Sequence, residues 1–334
     1  MRNGYVVLGM LPLAAGYTQE ECLEEVCREN FWLIGKTGYY IFYGLAVVAI
    51  IALLYGVYRR FSRYSEGKED KSVRLNDIPG RVKEAVRIVG SNEKQFYQDL
   101  YAGIMHTFIM WGFLGLLIAT TILAIDEQIV RRFTDSFWVG DFWLSYQFAA
   151  DSVGLLFIAG VSLALFKRYV QRDERLWHKH TRKDFDGPRD ILRAFEDDFF
   201  IWTLFFLGIG GYLLTALRIV GTQNLGTQGE FIDFTVVSYV SYSIALVLDT
   251  VLTAEAAQTL YPVAWWSHSL LALGFIAWIP YAKPFHMISS FANVVTRDDD
   301  AKRRLHGVDP ELGPEEIGYK SIEDFSWKHL LDHD

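Results

Sequence analysis

Apolar residues in this chain fall in long blocks separated by charged stretches, where a soluble helix would show one-sided stripes. Blocks of about twenty residues with few charges match the hydrocarbon thickness of a bilayer when helical. The pattern predicts five membrane-spanning helices, at about residues 31–57, 100–125, 142–166, 199–220 and 261–295. A sixth apolar block, residues 234–252, is long enough to cross but is followed by Asp249 and Glu255 at its end.

The placement of charge decides how that block is read. Residues 58–98 carry Arg63, Lys68, Lys71, Arg74, Arg81, Lys83, Arg87 and Lys94, and residues 167–184 form a second basic loop. Both loops lie on one side if each preceding block crosses once, which satisfies the positive-inside rule twice. Were residues 234–252 also to cross, Arg297, Lys302, Arg303 and Arg304 would lie outside and break the rule. The expectation is therefore an all-α integral membrane protein: a five-span helical bundle plus one interfacial or re-entrant helix, with the basic loops and the C-terminus cytoplasmic. It divides into an N-terminal lead-in (1–30), a transmembrane domain (31–295) and a polar cytoplasmic tail (296–334).

Composition agrees: 51% of the 334 residues are hydrophobic and 16% aromatic. The net charge of −8 adds little, because position outweighs sum in a membrane protein. The two cysteines, Cys22 and Cys27, precede the first block; their C-x4-C spacing matches no zinc pattern and cannot supply a four-cysteine cluster. Residues 5–16, behind Arg2, are mildly apolar and read as a membrane-surface lead-in. Gly208-x-Gly210-Gly211 sits inside a membrane block and follows no strand, so the dinucleotide-binding context fails. Those glycines would instead let another helix or a flat cofactor approach closely. No nucleic-acid partner is expected.

Three of the eight histidines carry the chemical argument. His178, His180, His306, His329 and His333 fall in loops or the tail and read as solvated. His106, His268 and His286 lie within apolar blocks, where ionisable groups are costly and mark function. His268 and His286 are eighteen residues apart, about five turns, so a continuous helix would place both on one stripe roughly 27 Å apart. A b-type haem needs two neutral imidazoles from different helices, each fixed through its other nitrogen. With five spans, the second and last helices are antiparallel and His106 matches His286 in depth. With six, His106 would match His268 instead. The alternatives are buried histidines satisfied by backbone or hydroxyl partners, in a cofactor-free membrane anchor or a transporter.

The motifs S-H-S-L-L-A-L-G and I-P-Y-A-K-P-F-H-M-I of the last block resemble the final helix of the cytochrome b (gamma) subunit of respiratory nitrate reductases. A closer resemblance is to the membrane domain of heterodisulfide-reductase-like iron–sulfur oxidoreductases, including electron-transfer-flavoprotein:menaquinone oxidoreductases. It extends to residues 42–47, 74–81, the stretch GIMHTFIMWGF and TALRIV, and covers the chain from about residue 28 onward.

The resemblance implies a nitrate-reductase-gamma type of bundle with a cytoplasmic-side haem b held by His106 and His286. A second, outer haem would use His268 and a histidine ten residues after His106, but that position is Leu116. Three options follow: one haem with His268 serving a quinone, a second haem at His268 with an unusual sixth ligand, or a structural His268; one haem is expected over two. His268, with Trp265 and Trp266 beside it, becomes a candidate for menaquinone chemistry. Arg218, Asp249 and Glu255 are weaker candidates, and Asp151 is expected to hydrogen-bond a neighbouring helix. Lys283, one turn before His286, is a candidate partner for a haem propionate or a snorkelling anchor.

In relatives with a fused iron–sulfur part, a segment like residues 321–332 leads into a cysteine-rich module. That module is therefore expected on a partner or on a further part of the protein. The implied function is that of a membrane cytochrome b in a prokaryotic cell membrane, relaying electrons between menaquinone and cytoplasmic iron–sulfur centres. An electron-transfer flavoprotein or similar donor is the implied soluble partner.

Overall fold

The computed structural model describes residues 30–69, 76–134, 137–173, 188–223, 236–298 and 324–332. The expectations placed on the lead-in, Cys22, Cys27, Arg74, most of the second basic loop, His178, His180, His306, His333 and residues 299–323 lie outside the described residues.

Among the described residues the secondary structure is helical, apart from one isolated bridge between Lys68 and Ser326. Helix α1 spans Gly35–Tyr64, α2 Ile78–Ser91, α3 Glu93–Gln98, α4 Leu100–Gln128, α5 Gly140–Leu165 and α6 Pro188–Gly221. Then come α7 (Tyr239–Asp249), α8 (Ala254–Trp278), α9 (His286–Val295) and α10 (Trp327–Asp332). Five stretches are long and apolar enough to cross a bilayer: Gly35–Tyr64, Leu100–Arg132, Gly140–Val170, Phe195–Gly221 and Ala254–Tyr281. The chain is thus a multi-pass helical membrane protein with the five spans expected. The block at 234–252 yields only the 11-residue α7, about 16 Å of helix, which is too short to cross.

Two expectations need correction. The last apolar block is not one helix: α8 ends at Trp278, 3₁₀ turns follow at Ile279–Tyr281 and Lys283–Phe285, and α9 starts at His286. Pro280 and Pro284 are the cause, since each lacks an N–H and crowds the preceding turn. Ala282 between the turns is fully extended (φ −145°, ψ −173°). The one-stripe arithmetic for His268 and His286 therefore does not apply. Secondly, residues 58–98 are not simply a polar loop. Asp77 accepts the Gly80 N–H at 3.3 Å, Pro79 occupies the first turn, and Arg81, Ala85 and Ile88 bury one face of α2.

The helices contribute to two compact units. Among the described residues, the first comprises 30–44, 108–134, 137–162, 205–223 and 236–270. Its core joins Trp32, Leu214, Leu217, Val220, Ala245, Ala257 and Tyr261, so α7 packs through Ala245 against α6 and α8. Asp151 of α5 fixes the start of α7, accepting from the Val240 N–H at 2.6 Å and the Ser241 hydroxyl at 2.8 Å. A carboxylate there complements the helix dipole and satisfies an N–H that has no intrahelical partner. The expectation that Asp151 bonds a neighbouring helix is met in this form.

Among the described residues, the second unit comprises 45–69, 76–107, 163–173, 188–204, 271–298 and 324–332. Here the end of α1 seats the break after α8. Arg60 donates through Nε to the Pro280 carbonyl at 2.8 Å and its guanidinium lies 5.1 Å from the Phe285 ring centroid. The tail segment docks in the same unit. Leu331 packs with Tyr64 and Phe285, and the Lys68 N–H and C=O bond Phe325 O (2.9 Å) and Trp327 N (3.1 Å).

Candidate functional site

His106 lies in the second turn of α4, and the α2–α3 corner is folded against it. Asn92 at that corner adopts the left-handed conformation (φ 51°, ψ 25°), a backbone choice that Asn tolerates and that ends α2. Its Oδ1 accepts from the His106 Nδ1–H at 2.8 Å. His286 opens α9 immediately after the 3₁₀ turn, and its Nδ1 donates to the Lys283 carbonyl at 2.7 Å. The Phe200 ring of α6 meets the His286 imidazole edge to face at 6.5 Å between centroids.

Both imidazoles belong to the same compact unit. In each, the oxygen acceptor at Nδ1 selects the Nδ1–H tautomer of the neutral ring, in which Nε2 keeps its lone pair. Among the described residues neither Nε2 has a hydrogen-bond partner. Two imidazoles, each carrying at Nδ1 the outer hydrogen bond that ligating histidines carry, are a donor set that would hold a haem iron.

His268 differs in kind. It lies on α8 in the other unit, and its Nδ1 is buried without a hydrogen-bond partner. It packs where α6 lacks side chains: a Cβ on Gly210 would meet His268 Nδ1 at 2.7 Å, and one on Gly211 would meet Cε1 at 3.9 Å. Trp265 joins an aromatic group through tilted and edge-to-face contacts with Phe31 and Phe42, 5.3 Å from each between centroids, and with Trp266 at 5.1 Å. Leu116 belongs to the same unit as His268 and brings no metal-binding atom.

Lys283 pairs through Nζ with Asp197 of α6, and its backbone N–H donates to Glu196 Oε1 at 2.7 Å. Asp197 and Asp198 also face the buried Arg168, with Nε 2.5 Å from Asp198 Oδ1. Arg168 and Lys167 lie in a π-helical turn at Phe166–Val170 that closes α5, and Lys167 reaches Asp99 Oδ2 at 2.7 Å. Arg218 lies over the Trp32 ring at 5.4 Å, while Asp249 and Glu255 are exposed at helix ends. Sequence reasoning missed Asn92 and the 196–198 carboxylates. The run of three acidic residues at the start of an apolar block was a visible signal, whereas nothing in the sequence marks Asn92.

Among curated proteins, the chain is similar to “EtfAB:quinone oxidoreductase” of Syntrophomonas wolfei subsp. wolfei (strain DSM 2245B / Goettingen), 30% identical over 236 residues. That alignment covers 70% of this chain and 30% of the relative. It is also similar to “Probable iron-sulfur-binding oxidoreductase FadF” of Bacillus subtilis (strain 168), 26% identical over 256 residues, covering 75% of this chain and 32% of the relative. The chain thus spans about a third of the length of these relatives. No protein-family model matches the chain, and no solved structure matches it.

Proposed function

We propose that this chain is the membrane cytochrome b part of a quinone-linked oxidoreductase, of nitrate-reductase-gamma type and similar in role to the membrane portion of electron-transfer-flavoprotein:menaquinone oxidoreductases. The observation that carries the reading is the matched state of His106 and His286, with Nδ1 of each bonded to an oxygen and Nε2 of each unpartnered. The similarity to two proteins named as oxidoreductases, one for quinone and one for iron–sulfur binding, supports the same direction.

His106 and His286 hold one haem b, which when bound supplies one-electron transfer within the membrane. Asn92 and the Lys283 carbonyl orient the two rings, and Phe200 packs against one of them. His268 meets menaquinone rather than a second iron, because its Nδ1 lacks the hydrogen-bond acceptor that a ligating histidine carries and Leu116 supplies no second imidazole. A buried imidazole beside a glycine-lined face and Trp265 can exchange a proton with a flat aromatic ligand. The protein sits in a prokaryotic cell membrane with the two basic loops, residues 58–98 and 167–184, and the C-terminus inward. Its electron partners are an iron–sulfur module and an electron-transfer flavoprotein or similar soluble donor, on the remaining length of the protein or on separate chains.

The direct test is to mix the purified protein with a menaquinol analogue and follow visible absorbance. A b-type α-band that grows on addition supports the reading; haem that stays oxidised, or an absence of haem, contradicts it.

A further inference from the structure

Asn92 does more than turn the chain. Its backbone alone completes the corner between α2 and α3: its N–H bonds Val89 O at 3.2 Å, and its carbonyl accepts from Gln95 N at 3.0 Å and Phe96 N at 3.2 Å. The carboxamide makes no helix-capping bond, and the left-handed backbone at this position suits glycine better than any other residue. Yet the side chain is present, only 2% of Asn92 is exposed, and its oxygen is spent on His106 Nδ1 at 2.8 Å.

The same helix is tied at its other end to the segment that carries His286. Arg81, in the first turn of α2, is buried and donates through Nη1 to the Arg297 carbonyl at 2.8 Å and the Val295 carbonyl at 3.4 Å. It thereby closes the C-terminus of α9, whose first residue is His286. Arg297 in turn pairs with Glu84 of α2. One amphipathic loop helix thus grips the His106 ring at one end and the His286 helix at the other.

We infer that Asn92 is the positioning residue that fixes the tautomer and donor strength of His106, and so sets the electron affinity of the haem that His106 would ligate. The inference rests on the haem reading above. A neutral amide oxygen draws moderately on the Nδ1 proton. A carboxylate in its place draws harder, gives the ring imidazolate character and stabilises the oxidised iron. Removing the acceptor weakens the ring as a donor and favours the reduced iron.

The test uses purified wild type, Asn92→Gly and Asn92→Asp, each assayed for helicity, haem content and midpoint potential by spectroelectrochemical titration. Glycine keeps the left-handed backbone, and aspartate keeps both that backbone and the side-chain volume, so both corners fold. The expected results are a wild-type circular dichroism spectrum for both variants and a lower midpoint potential in Asn92→Asp. In Asn92→Gly the potential rises and haem affinity falls by about 10–100-fold. Haem content and potential equal to wild type in both variants overturn the role of Asn92 and leave the cytochrome reading standing. Wild-type protein without haem overturns both.

Discussion

Gly56 of α1 and Pro280 in the break of the last membrane helix touch without room for a side chain: a Cβ on Gly56 would lie 2.4 Å from Pro280 Cγ and 2.7 Å from its Cβ. The proline ring cannot rotate away, so Gly56→Val must move the break or α1. The segment next door holds His286. The expected cost is about 1–3 kcal/mol in stability, with haem content lowered alongside. Thermal unfolding and haem absorbance of the purified variant check it; a valine variant with unchanged melting contradicts the close seat.

The anchor of α7 makes a second prediction. Asp151→Ala leaves the Val240 N–H and the Ser241 hydroxyl without their acceptor in a buried setting, a loss of about 1–3 kcal/mol. Asp151→Asn keeps an acceptor oxygen and costs less. Hydrogen exchange of residues 239–249 reads the effect locally: faster exchange confined to α7 is expected, and unchanged exchange in the alanine variant would refute the anchoring role.

Gly210 gives a third. The Cβ of Gly210→Ala lies within 2.7 Å of His268 Nδ1, so the imidazole must shift. If His268 meets the quinone, KM for a menaquinol analogue rises several-fold while kcat changes little. In a His268→Ala background, Gly210→Ala has no further effect on KM, because contacting residues are coupled and the coupling vanishes with one partner. Additive effects would place the quinone elsewhere.

Asp99 supplies a pH dependence outside the membrane. The Lys167 ammonium, followed by the backbone N–H of Ala102, holds its carboxyl below the ordinary carboxylate range. A depressed folded-state value means that the pair stabilises fully above the unfolded value near 3.9 and loses that contribution as pH falls through the lower folded value. Asp99 also accepts the Tyr101 N–H at 2.9 Å at the start of α4, about two turns before His106. Asp99→Asn should melt earlier than wild type at pH 7, with the difference narrowing as pH falls below about 4. A difference that is constant from pH 7 to pH 3 would remove the ion pair from the account.

The five spans were legible because each is a run of apolar residues whose length alone distinguishes it from a soluble helix, and charge placement marked residues 234–252 as non-crossing. The pairing of His106 with His286 followed from that topology, and the structure places both in one unit. The break after Trp278 was written in Pro280 and Pro284 but overlooked, since hydropathy averages over prolines. Two features were beyond the pattern altogether. The bond from Asn92 to His106 depends on a left-handed corner between α2 and α3, and the orphaned Nδ1 of His268 depends on how closely α6 approaches through Gly210. Both arise from packing between different helices, which no local periodicity encodes.

The central claim is that His106 and His286, and not His268, hold haem. A pyridine haemochrome count per polypeptide on the purified protein and on its His106→Ala, His286→Ala and His268→Ala variants tests it most directly. The account predicts one haem in the wild type, none in the first two variants and one in the third. Two haems in the wild type with one lost in His268→Ala, or haem retained in His106→Ala and His286→Ala, would contradict it.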